Sequence, residues 1–123
     1  MKFEPCWESL DHNRNAKYEQ RIYSTIERII QTPGLYIGKK SVKELWSFLG
    51  GYTYAYMEIY NYQPHFNSEF QTYIEQRLGK IDVHSWDYII STGRTEEEAF
   101  DYFAELFRSF EIHIAQIYNN GLE

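Results

Sequence analysis

Cysteine is nearly absent: Cys6 is the only one in 123 residues. That excludes an internal disulfide framework and a thiolate cluster for structural zinc, and predicts a reducing compartment. Long apolar runs are missing too. No stretch of about 18 apolar residues occurs, and the opening MKFEPCWESLDHNR mixes acids with its few apolar residues and has no apolar h-region. The expectation is a soluble cytoplasmic protein. Excess positive charge is also lacking, since the formal net charge is −6. An acidic surface repels phosphate backbones, so nucleic-acid binding by the bulk of the chain is not expected.

The chain is rich in rings: 12 Tyr, 8 Phe and 3 Trp make up 19% of it. Each buried ring removes roughly 150–250 Å² from water, so aromatic packing should dominate stability. A chain this long fits one domain, residues 1–123, and buries roughly two thirds of its unfolded surface without staples. Charge is unevenly divided. Residues 1–43 hold eight Lys/Arg against five Asp/Glu, a net of +3, and residues 44–123 hold four against thirteen, a net of −9. The acidic portion favours a basic protein partner through long-range steering.

After an irregular start over residues 1–15, Tyr18, Ile22, Ile26, Ile29 and Ile30 recur at helical spacing and predict a helix from about Ala16 to Gln31. Pro33 disfavours helix at Thr32, and Gly34 suits the positive φ of a type II turn. Ser41 and Glu44 have capping-box spacing and start a second helix at Val42. Its stripe is Val42, Leu45, Leu49, Tyr52, Tyr56 and Ile59, widened by Trp46, Thr53, Met57 and Tyr60, a breadth that predicts a central helix. Gly50 and Gly51 lie inside it, where close approach by a neighbouring helix or a kink is expected. Pro64 ends this element. A third helix carries Phe66, Phe70, Tyr73, Ile74 and Leu78 and closes at Gly79.

Ser85 caps a short helix with Trp86, Ile89 and Ile90, although an extended conformation fits residues 81–91 as well. Thr95 and Glu98 repeat the capping box, with Glu96 and Glu97 favoured by the helix dipole. The last helix carries the seam Phe100, Phe103, Phe107, Phe110, Ile114 and Ile117, ending near Asn120. The predicted class is all-α, a compact single-domain bundle of four to five helices. Its Phe seam is core, with a second copy of the chain as the other surface it could face.

Few residues suggest chemistry. His12, His65, His84 and His113 form no metal-ligand spacing, so no metal or cofactor is expected. His84-Ser85-Trp86-Asp87 groups triad residue types by adjacency, which is not how triads are built. Lys39, Lys40 and Lys43 could hold an anion at the start of the second helix. Cys6 has no basic neighbour to lower its pKa. The pairs Glu97/Asp101 and Asp101/Glu105 each share a helix face and fit a solvated face or a surface for a basic partner. An enzyme site assembled from Glu58, His84 and Asp87 is a third alternative, but no catalytic role is assigned.

The segment Thr32 to Gly38, TPGLYIG, resembles a stretch near the start of the ATPase domain of gyrase-type topoisomerases. That family also requires a helix bearing an acid base and a magnesium-binding Asn, followed by Asp-x-Gly-x-Gly. Those are absent here, so the segment reads as a turn that tucks Leu35, Tyr36 and Ile37 against the core. A wider resemblance rests on two stretches that together make 47 of the 123 residues. TPGLYIGKKSVKELWSFLGGY and SWDYIISTGRTEEEAFDYFAELFRSF together resemble small bacterial immunity proteins of polymorphic or contact-dependent toxin systems. The resemblance implies a cytoplasmic protein that binds and neutralises a cognate toxin domain, often a nuclease, and it transfers no catalytic residue. The expected contact surface is Asp82, Trp86, Asp87, Tyr88, Glu97 and Asp101, because Trp and Tyr are favoured anchors and acids supply complementarity. The alternative is a small helical adaptor acting through homodimerisation.

Overall fold

The computed structural model describes residues 15–79 and 84–120, with side chains through residue 117. These form six helices: α1 (Ala16–Gln31), α2 (Pro33–Tyr36), α3 (Val42–Tyr60), α4 (Phe66–Leu78), α5 (Trp86–Ser91) and α6 (Glu96–Asn120). The class is the all-α bundle read from the sequence, and no strand occurs among the described residues. No described helix is long and apolar enough to cross a membrane. Of the irregular start, only Asn15 lies within the described residues, and Cys6 and His12 lie outside them.

Local chemistry sets the ends. Asn15 caps α1 by accepting the Tyr18 N–H at 3.1 Å. Ser41 caps α3 by accepting the Glu44 N–H at 3.2 Å. The Thr95/Glu98 box closes in both directions, Glu98 N–H to Thr95 Oγ1 at 3.1 Å and Thr95 N–H to Glu98 Oε1 at 3.0 Å. Gly79 ends α4 with φ +69°, the left-handed conformation that glycine adopts without penalty.

The Pro-Gly segment departs from expectation. Pro33 occupies the first position of α2, where its fixed φ and missing N–H suit a helix start. Gly34 therefore continues the turn of helix, and the positive φ falls at Gly38, +86°. Leu35 is 79% exposed rather than tucked inward, while Tyr36 and Ile37 do pack against the core.

The core centres on α6, which packs against α3, α4 and α5. Phe100, Phe103, Phe107 and Phe110 are buried, and Phe103, Phe107 and Phe110 meet Phe66, Phe70 and Trp86 at ring separations of 5.2–5.9 Å, edge to face except for the stacked Trp86–Phe103 pair. From α1, Tyr23 enters this cluster against Phe66 and Phe107. The seam is satisfied within one chain, which removes it as a surface for a second copy. Ile117, at its far end, is exposed.

Helix α3 is an outer helix, not the central one. Val42, Leu45, Leu49 and Tyr56 are buried, but Trp46, Met57, Ile59 and Tyr60 are exposed. The helix is unbroken through Gly50 and Gly51, and nothing lies within 4 Å of a Cβ built on either. No neighbouring helix among the described residues uses the space they leave. Gly51→Ala is accordingly expected to stabilise the dilute protein by about 0.5–1 kcal/mol, read as a rise in urea midpoint at unchanged slope.

Candidate partner-binding surface

The acidic half of the chain presents carboxylates where α5 turns into α6. Ser85 is extended before α5, and its hydroxyl donates to Asp87 rather than to the helix end. Gly93, at φ +76°, lets the chain reverse after α5. Arg94 then secures the corner from both sides. Its Nη1 donates to the Ile90 carbonyl at 3.0 Å, and its guanidinium lies 4.0 Å from the Tyr102 ring centroid. With Ala99, Phe100 and Phe103 turned inward, Glu97, Asp101 and Glu105 are left on the exposed side of α6, one helical turn apart.

Two lysines from the loop before α3 reach this helix. Lys39 Nζ lies 3.2 Å from Glu96 Oε1, and Lys40 Nζ lies 2.8 Å from Asp101 Oδ1. The Asp101 hydrogen bond, together with the charges of Asp101 and Glu97, holds the Lys40 pKa above its ordinary value. Lys39 and Lys40 thus pair with carboxylates and do not converge with Lys43 on the anion site that the three could have formed. On another side of the helix, Arg108 bonds Glu27 at 2.9 Å. Burial and the Glu27 charge raise the Glu111 pKa there, opposed by Arg108.

The residues expected to form the contact surface separate into three groups. Asp82 lies outside the described residues. Trp86 is fully buried, stacked on Phe103 at 5.4 Å, with its Nε1 donating to Asn67 Oδ1 at 2.7 Å. It is a core residue, because the apolar period that made it conspicuous on α5 is the period facing inward. Tyr88 is 54% exposed, Glu97 and Asp101 are exposed, and Asp87 is half-buried. Two adjacent elements carry these four, since α5 packs against α6.

Of the groups weighed for catalysis, His84 and Asp87 are engaged in other contacts and Glu58 is exposed. The His84 ring lies 4.2 Å from that of Tyr88, Asp87 accepts from Ser85, and Glu58 stands on the outer side of α3. Among the described residues no group of three or more His, Cys, Asp or Glu is placed to hold a metal ion. A cleft of about 370 Å³ between α4 and the end of α6 is lined by Ser68, Thr72, Tyr73, His113 and Ile117.

One polar cluster was not visible in the sequence. Glu19, on the first turn of α1, is wholly buried. Its Oε2 accepts from the Tyr62 hydroxyl and from the His65 N–H at 2.9 Å, and lies 3.2 Å from His65 Nδ1. The only sequence signal was an acid at a position continuous with the apolar face of α1. No family model matches the chain, and no curated protein and no solved structure matches it.

Proposed function

We propose that this chain is an immunity-type protein that acts in the cytoplasm, binding a cognate bacterial toxin domain and covering its active or substrate-binding surface. The observation that carries the reading is the exposed row of Glu97, Asp101 and Glu105 on α6, with the exposed ring of Tyr88 on the helix packed beside it. A nuclease presents a basic cleft to phosphate, and a row of carboxylates is complementary to such a cleft. Charge of this kind raises the association rate, and an aromatic ring buried on docking supplies affinity. Asp101 enters the contact already bonded to Lys40, so Glu97 and Glu105 present the less compensated charge. The likeness of the two sequence stretches to immunity proteins supports the same reading.

The test uses the C-terminal domain of the protein encoded beside this chain, where an immunity role predicts the toxin. Co-expression should restore growth of cells making that domain, and the two proteins should co-purify. Glu97→Lys with Glu105→Lys should slow association about tenfold or more at low salt and flatten its salt dependence. Tyr88→Ala should instead speed dissociation. Rescue and binding that persist unchanged through all three substitutions would sink this surface. Absence of both rescue and complex, with the two proteins folded, would sink the immunity role.

A further inference from the structure

The outer side of α3 carries a second surface, independent of the acidic row. Turned from the core are Lys43, Ser47, Gly50, Gly51, Tyr54 and Glu58, all exposed. Gly50 and Gly51 are in helical conformation, and the packing of the described residues gives no reason for glycine at either, since a Cβ there would meet nothing within 4 Å. Each nevertheless costs about 1 kcal/mol relative to alanine. What they provide is bare backbone at the middle of the helix, where another helix can come close.

The charges on this stripe are arranged about the same midpoint. Lys43 lies toward the N-terminal end and Glu58 toward the C-terminal end, about 22 Å apart at 1.5 Å per residue. Neither forms an ion pair among the described residues. Glu44 stands at the edge of the stripe, over the helix N-terminus. Trp46 and Met57, each 38% exposed, occupy one flank on opposite sides of the glycines.

We propose that two copies of the chain pair through this face, with their α3 helices antiparallel about a two-fold axis passing between Gly50 and Gly51. The pairing is self-complementary, as an isologous contact must be. Lys43 of each copy meets Glu58 of the other, giving two ion pairs by symmetry. The bulky Tyr54 falls opposite the small Ser47. Trp46 meets Met57 on the shared flank, a favourable sulfur–aromatic contact. A parallel pairing would set Lys43 against Lys43, and a uniformly basic partner would be repelled at that end of the helix. The second copy is therefore the occupant whose charge fits. The acidic row on α6 belongs to another helix and is not consumed.

Sedimentation of the full chain from about 1 μM to about 1 mM tests this. A monomer–dimer equilibrium is expected. Lys43→Glu replaces both attractive pairs by repulsive ones and should weaken association about tenfold or more, as should Glu58→Lys alone. Lys43→Glu combined with Glu58→Lys should restore it to within about threefold, a recovery that a merely structural role would not give. Gly51→Leu should abolish the dimer while leaving the circular dichroism of the monomer intact. A monomer throughout the range, or a dimer indifferent to Lys43→Glu and Gly51→Leu, would overturn the proposal. Toxin binding is measured separately, so failure here leaves the immunity reading standing.

Discussion

Trp86→Ala is expected to cost about 3–5 kcal/mol of folding stability, which is a large share of the 5–15 kcal/mol typical of a domain. The indole is fully buried and sits where three helices converge, touching Phe66 and Phe70 of α4 and Phe103 of α6. Those rings are held by their own contacts with Phe107 and Phe110, so they cannot collapse fully into the space an alanine would leave. The cost thus includes a cavity as well as lost transfer free energy. Loss of the indole N–H also frees Asn67 Oδ1, which is exposed and finds water at little cost. The reverse substitution, Asn67→Ala, leaves the N–H without that acceptor and should cost about 1–2 kcal/mol. Urea unfolding checks both. A residue that served as a surface anchor would behave oppositely, leaving stability untouched while partner binding fell.

What the sequence revealed and what it hid divide by the distance over which the causes act. The Ser41 cap, the reciprocal Thr95/Glu98 box, the stop at Gly79 and the Phe seam of α6 depend on neighbours within a turn or two, and they appear where the spacing placed them. Pro33-Gly34 was legible as a break but not as a turn of helix, because proline suits both the second position of a turn and the first position of a helix. The breadth of the apolar stripe on α3 was misleading for a related reason. Periodicity says which residues share a face and says nothing about whether another helix covers it, so Trp46, Met57 and Ile59 were counted as core although they face out. Trp86 shows the same ambiguity with the opposite outcome. The Lys40–Asp101 pair joins residues 61 positions apart, and only the packing of the loop before α3 against α6 brings them together. No local pattern encodes that contact.

The Glu19 cluster is the extreme case, and Glu19→Ala is expected to cost about 3–5 kcal/mol, close to the effect of emptying the Trp86 site. Glu19 belongs to α1, whereas Tyr62 and His65 lie at the corner between α3 and α4, 43 and 46 positions away. The carboxylate also sits at the start of α4, for which His65 is the N-cap, where the helix dipole favours negative charge. The Tyr62 hydroxyl accepts the Asn15 N–H at 3.0 Å, so one chain of bonds joins the capped start of α1 to the start of α4. Alanine removes the acceptor from a buried hydroxyl and from a backbone N–H at once. Glu19→Leu should rescue little, because filling the volume does not replace the acceptor. Glu19→Gln keeps the shape and one carbonyl oxygen and should cost about 1–2 kcal/mol. Tyr62→Phe combined with Glu19→Gln should be less than additive, with a coupling of about 1 kcal/mol or more in urea unfolding. If Glu19→Ala cost less than about 1 kcal/mol, the cost of burying the carboxylate would nearly equal what its bonds return. The cluster would then fix the angle between α1 and α4 without stabilising it. In either case the two helices are joined by a polar bond network set against an otherwise apolar core, and that network tolerates fewer substitutions because Glu19 Oε2 and the Tyr62 hydroxyl serve specific partners while an apolar side chain needs only contact.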